Sequence, residues 1–433
     1  MAPNGLSWSG ILRLGLVQMA IGSVIALTTS TLNRIMVVEL ALPAVLPGLL
    51  VGIYYALQLS RPVWGHRSDA GRRRTPWILG GVFVLALGGL VATLGTVRME
   101  TDLATGLPLS GAGFMLIGAG AGAAATSLLA FLATATRPER RPAAATITWL
   151  LMIFGIAATA TLVGQILDPY SPARLLRVVA GVCSGACLLA TLAMIGLERD
   201  SAVVAPAREA QVPFRRAFAE TWAEPHSRRF AIFVFLSMIA YSMQELILEP
   251  FAGHVFGFSP GRSTSMAGLQ NGAVLLGVLT VGIVGSGLGR GSLRVWTAAG
   301  CVGSAAALIA IALAGFGGPE AALLPSVFAL GFANGVFAVA AIGAMMQLAG
   351  SAGQGGREGT RMGLWGAAQA MASGIGGFLG AAGADTMRFA LGENHLAYGT
   401  VFVIEAGLFL VAAALALSAI DAPGRVPLPE EGL

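Results

Sequence analysis

An all-α bundle that crosses a membrane many times is the fold class this sequence predicts, on three observations. Of its 433 residues 56% are hydrophobic and 11% charged, and the mean hydropathy is +0.78. No single soluble core hides that much apolar surface. Second, the apolar residues form twelve continuous runs, at 13–36, 47–64, 75–97, 110–135, 143–167, 174–197, 229–249, 263–288, 293–316, 321–349, 361–390 and 396–420. Each is near the roughly 20 residues that a helical span needs, and none alternates as a transmembrane strand would. Third, all 26 basic residues are arginines, and assignment to alternating loops divides them twenty to six. The richer side is expected in the cytoplasm, with both termini. Topology therefore accounts for the pI near 9.6 without a nucleic-acid partner. The first run is too long, and has too many successors, for a cleaved signal peptide.

In chain order, the first span ends TLNRIMVVELALP, placing Arg34 and Glu39 near its non-cytoplasmic end. Between spans two and three lies GHRSDAGRRRTPWILGG, which crowds His66, Arg67, Asp69, Arg72, Arg73 and Arg74 into one loop. Spans four, five, eight and ten contain no ionisable residue, so a cavity built from them offers amides and hydroxyls such as Asn334, Gln165, Thr126 and Ser127. Buried charge in lipid is costly and marks function; here it gathers at Arg34, Glu39, Glu245 and Glu249. Gly118 and Gly122 in span four, and Gly376 and Gly380 in span eleven, have the small-xxx-small spacing of close helix contact. They are candidate faces for docking a guest helix, with internal packing as the alternative. The cysteines, Cys183, Cys187 and Cys301, lie inside apolar runs and suggest neither a disulfide nor a metal site. No HExxH, P-loop or nucleophile–base arrangement occurs, so no catalytic activity and no metal ligand set are expected.

Residues 198–229 form the one long polar connection and divide the runs six and six. The expected organisation is an N-terminal six-helix bundle over 1–197, a cytoplasmic linker over 198–229 and a C-terminal bundle with a short tail over 230–433. Phe214, Phe218 and Trp222 recur every fourth residue in the linker, as in a short amphipathic helix on the membrane surface. The halves echo one another: Glu39 precedes Pro43 as Glu249 precedes Pro250. Two such sextets predict parallel-related bundles around a midplane cavity.

The loop after span two, with Gly65, Asp69, Gly71, Arg72 and Arg73, resembles the cytoplasmic signature of the major facilitator superfamily, G-x-x-x-D-x-x-G-R-R, contracted by one residue. There Asp69 is expected to accept from helix N-terminal amides and to pair with arginines, as a clasp between bundles. Three phrases narrow the resemblance: TTSTLNRIMVVELALPA (28–44), RPVWGHRSDAGRRRTPWILGG (61–81) and MQELILEPFAGHVFGFSPGRST (243–264). They are similar to the bacteriochlorophyll delivery family, the light-harvesting complex assembly factors of photosynthetic bacteria. The resemblance implies a multi-pass protein of the bacterial inner or intracytoplasmic photosynthetic membrane. Its implied partners are the antenna polypeptides, bacteriochlorophyll or a precursor, and pigment-synthesis enzymes. A secondary transporter of a tetrapyrrole or another hydrophobic solute is the alternative.

Arg34 and Glu39 are five residues apart, about 140° round a 3.6-residue helix. They are therefore expected not to share a face, and Arg34 is expected to pair with Glu245 or Glu249 of span seven, as a lock between bundles or a partner contact.

Overall fold

The computed structural model describes residues 6–58, 60, 64, 73–137, 140–198, 222–223, 225–287, 290–317, 320–351 and 358–420. Among them twelve helices carry the chain: α1 (Trp8–Glu39), α2 (Val45–Gln58), α3 (Thr75–Met99), α4 (Leu103–Ala135), α5 (Arg141–Leu167), α6 (Pro172–Met194), α7 (Pro225–Phe256), α8 (Pro260–Thr280), α9 (Leu293–Gly315), α10 (Leu323–Ser351), α11 (Glu358–Leu391) and α12 (Asn394–Ala419). Each predicted run overlaps one of them, with 59 and 61–63 of the second run and 288 of the eighth outside the described residues. Ten of these segments are long and apolar enough to cross a membrane; α2, at 14 residues, and α11 are not among the ten. Helices dominate because a chain in lipid must satisfy its own backbone polar groups.

Local chemistry sets the ends. Asp102 caps α4, its carboxylate accepting from the Ala104 amide at 3.0 Å and the Thr105 hydroxyl at 2.8 Å. That hydroxyl holds the exposed carboxyl below the usual carboxylate range. Ser171, Ser259 and Ser292 cap α6, α8 and α9. α3 borrows its cap: Glu198, just past α6, accepts from the backbone amides of Arg74 at 2.5 Å and Thr75 at 3.0 Å.

Packing has a repeat. α1 packs on α5 and α6, α3 on α4 and α6, and α2 on α4; likewise α7 packs on α11 and α12, α9 on α10 and α12, and α8 on α10. Adding six to each index of the first set gives the second. The main contacts across the sets, α2 with α11 and α5 with α8, exchange under the same operation, as a two-fold pseudo-axis requires. One large apolar core lies within residues 6–197 plus Leu246, and another within 230–420.

The α3–α4 pair rests on glycine at heptad spacing, a pattern the sequence reading passed over. Gly81, Gly88 and Gly95 of α3 meet Gly120, Gly113 and Gly106 of α4. A Cβ at Gly88 would stand 2.6 Å from the Ile117 amide nitrogen, whereas nothing lies within 4 Å of one at Gly80. Gly88→Val must push the helices apart, and overpacking of this kind costs about 1–3 kcal/mol or more. The expected result is loss of monodisperse protein on size-exclusion chromatography for Gly88→Val, with Gly80→Val behaving as the parent. Equal behaviour of the two would refute the glycine contact.

Candidate functional site

The odd-numbered helices finish at one end of the molecule, called here the far end, and there the two sets of helices are joined. Asn33 of α1 donates to the Leu246 carbonyl at 2.8 Å, and the Thr31 and Thr264 hydroxyls meet at 3.3 Å. Val37, Ala44 and Ala381 form an apolar plug between α1, the entry to α2 and α11. Two carboxylates flank the plug. Asp168, at the end of α5, accepts from the Ser259 hydroxyl at 2.5 Å and the Gly261 amide at 3.1 Å, at the start of α8. Asp385, late in α11, accepts from the Val45 amide at 2.8 Å, at the start of α2. Adding six turns α5 into α11 and returns α8 to α2, so the two contacts are counterparts under the pseudo-axis. Each places a negative charge on the first amides of a helix from the opposite set, where free N–H groups and the helix dipole favour it.

Arg34 belongs to the same end, and its expected pairing requires correction. Its side chain is 1% exposed; Nη1 lies 2.5 Å from Glu39 Oε1, and Nη2 donates to the Phe258 carbonyl at 2.5 Å. The angular argument against an Arg34–Glu39 pair assumed a regular α-helix. α1 instead widens into π-helical turns at Leu27–Thr31 and Ile35–Glu39, and an i→i+5 turn brings the fifth residue back over the first. Arg34 does cross between the sets, to a backbone carbonyl rather than to a span-seven acid.

Glu245 and Glu249 share one face of α7 as their spacing requires, and that face lines a cavity of about 350 Å³ between the two sets of helices. Glu249 is 3% exposed and accepts from the Ser30 hydroxyl across the interface, with Thr264 at 3.5 Å from its other oxygen. Glu245 is exposed to the cavity and takes one long hydrogen bond, from the Tyr55 hydroxyl at 3.3 Å. The cavity is therefore not the acid-free space that spans four, five, eight and ten suggested, because α7 supplies its charge.

The candidate docking glycines turn inward. A Cβ at Gly118 would be 2.9 Å from the Tyr54 carbonyl of α2, one at Gly122 would meet Trp64 at 3.5 Å, and one at Gly376 would be 2.6 Å from the Ile239 carbonyl of α7. Gly380 is pressed against the Met243 carbonyl of α7. All four are buried, so their spacing serves internal approach and presents no outer face. Of the loop clasp, Gly65, Asp69, Gly71 and Arg72 lie outside the described residues, as do Phe214 and Phe218 of the linker; Arg73 is exposed.

Two further features escaped the sequence reading. Arg388 donates to the Tyr398 hydroxyl at 2.7 Å, and Tyr398 stands 3.0 Å from His254 Nδ1, linking α11, α12 and α7 near the far end. Glu405, the single acid in the apolar run of α12, is fully buried, and neither carboxylate oxygen has a hydrogen-bond partner among the described residues. The lone charge in VFVIEAGLFL was its signal.

Comparison with known proteins places this arrangement. The chain is similar to a bacterial homologue of the human lysosomal transporter Spinster, solved inward-facing and unoccupied, with a TM-score of 0.69 at 15% identity over 97% of this chain and 100% of that one. A POT family transporter in complex with a thioalcohol-conjugated peptide gives 0.71 at 14% identity, over 94% and 95% of the two chains. At such identities the likeness is one of fold, the major facilitator fold. In sequence the chain is 56% identical to the "Bacteriochlorophyll synthase 44.5 kDa chain" of Rhodobacter capsulatus, over 98% of both. It is 29% identical to "Protein PucC" of the same species, over 98% of this chain and 95% of that one. The profile of the PUCC protein family matches residues 31–422. With its helices, pseudo-axis and sequence in agreement, the chain belongs to the PucC family of multi-pass membrane proteins.

Proposed function

We propose that this protein is an assembly factor for bacterial light-harvesting antenna complexes, docking antenna polypeptides and handling bacteriochlorophyll in the inner or intracytoplasmic membrane. The observation that carries the reading is the family match across residues 31–422. The name of the 56% identical relative adds support for work beside pigment-synthesis enzymes, and we assign the chain no catalytic step of its own. All twelve helices cross the membrane in this reading, as bundles over 1–197 and 230–433 joined by the linker 198–229. The arginine bias puts the termini, and the end of the molecule opposite the far end, in the cytoplasm. Toward bacteriochlorophyll, the Glu245 carboxylate that faces the cavity is a hard donor of the kind Mg²⁺ accepts.

Deletion should lower antenna absorption while pigment synthesis continues. Unchanged antenna absorption, under conditions where the gene is expressed, would overturn the proposal. A second reading, a secondary transporter of a tetrapyrrole or other hydrophobic solute, is favoured by the central cavity closed at one end. Protein that purifies coloured and bound to antenna helices supports the first reading; protein free of both supports the second.

A further inference from the structure

The geometry points to the central cavity as a binding site for an amphipathic organic cation. The inference goes beyond the antenna-assembly reading and names the class of ligand the cavity takes.

Charge comes first. Among the described residues that line the cavity the charged ones are Glu245 and Glu249; no arginine or histidine joins them, and the chain has no lysine. The two acids are not equivalent. Glu249 is enclosed by hydroxyls from both sets of helices, whereas Glu245 faces the open volume with one 3.3 Å hydrogen bond from Tyr55. Glu245 is therefore the group free to meet a ligand, and Glu249 sets the acidic floor behind it. A second, independent observation concerns Gln244. It is 1% exposed, it lines the same cavity, and its Oε1 has no hydrogen-bond partner among the described residues. A buried acceptor left unpaired is costly, and a ligand that donates a hydrogen bond or carries positive charge would relieve it.

Shape and surface agree. Trp149, Tyr55, Tyr241 and Phe337 line the space, and aromatic faces attract cations, more so when water is excluded. Ile153 and Val274 supply apolar wall, which suits the hydrophobic body of an amphiphile. The volume of about 350 Å³ lies within the range of small-molecule sites.

The test uses two probes of one shape and opposite charge, tetraphenylphosphonium and tetraphenylborate, with purified full-length protein in detergent. The expected result is saturable binding of tetraphenylphosphonium and none of tetraphenylborate. Glu245→Gln should weaken cation binding about 10-fold, the scale of one partly hydrated charge contact. Asp102→Asn, remote from the cavity, should leave it unchanged. Because Glu245→Gln alone could disturb folding, Gln244→Leu serves as a second variant, and monodispersity is checked for each. Equal binding of the two probes, no saturable cation binding, or unaltered affinity in folded Glu245→Gln would each overturn the inference and leave the antenna-assembly reading intact. Normal antenna absorption in a deletion strain would do the reverse.

Discussion

Replacing both Asp168 and Asp385 by alanine will open the far end of the molecule. Each carboxylate occupies the first amides of a helix in the opposite set, so its loss acts on the contact between sets rather than on either core. Removing a helix cap costs about 1 kcal/mol, and Asp168 is exposed enough for solvent to reduce its share. The sites lie on different helix pairs and share no partner, so their effects should add, to ~1.5 kcal/mol or roughly a 10-fold shift in the closed-to-open ratio. Ala381 reports the change, being fully buried in the plug with Val37 and Ala44. With Cys183, Cys187 and Cys301 replaced, Ala381→Cys should react slowly with an impermeant maleimide in the parent and much faster in the double variant. Each single variant should fall between them. Labelling that stays slow in folded double variant would show that the apolar plug closes this end unaided.

Arg34→Glu should be the most damaging single change. The guanidinium is buried and held by Glu39 and the Phe258 carbonyl, and breaking a buried pair leaves an uncompensated charge at a cost of 3–5 kcal/mol. Glu39 is 33% exposed, which puts the expected loss near the lower figure, about 3 kcal/mol. Reversal onto the observed partner, Arg34→Glu with Glu39→Arg, should recover part of the folded protein. Reversal onto the partner expected from sequence, Arg34→Glu with Glu249→Arg, should not, because it also removes the acceptor for Ser30. Thermal stability in detergent separates the cases. Recovery with Glu249→Arg and none with Glu39→Arg would mean that the π-helical turn does not govern the pairing.

The fold was legible at the level where physics is local. A run of apolar residues in lipid becomes a helix because each backbone group must find its partner within the segment, and every predicted run holds one. Glu245 and Glu249 stood out in the sequence because ionisable groups in apolar spans are costly. Their spacing of four also placed them correctly on one face. What that face meets depends on six other helices, and hydropathy carries no record of them.

The amino-acid sequence by itself determined the apolar helices and the family, because each is written in runs and short motifs. Tertiary structure decided which groups meet. Asp168 and Asp385 cap α8 and α2 because a pseudo-axis brings chain segments more than 90 and 300 residues apart to the same end. Glycines at heptad spacing read the same whether they face lipid or another helix, and only the partner backbone, 2.6 Å from where a Cβ on Gly88 would stand, distinguishes the two. Arg34 reaches Glu39 because α1 takes wider turns where it packs beside α7 and α8. A change of one hydrogen-bond register rotates every later side chain, and that register is set by packing across the interface rather than by local residue preference.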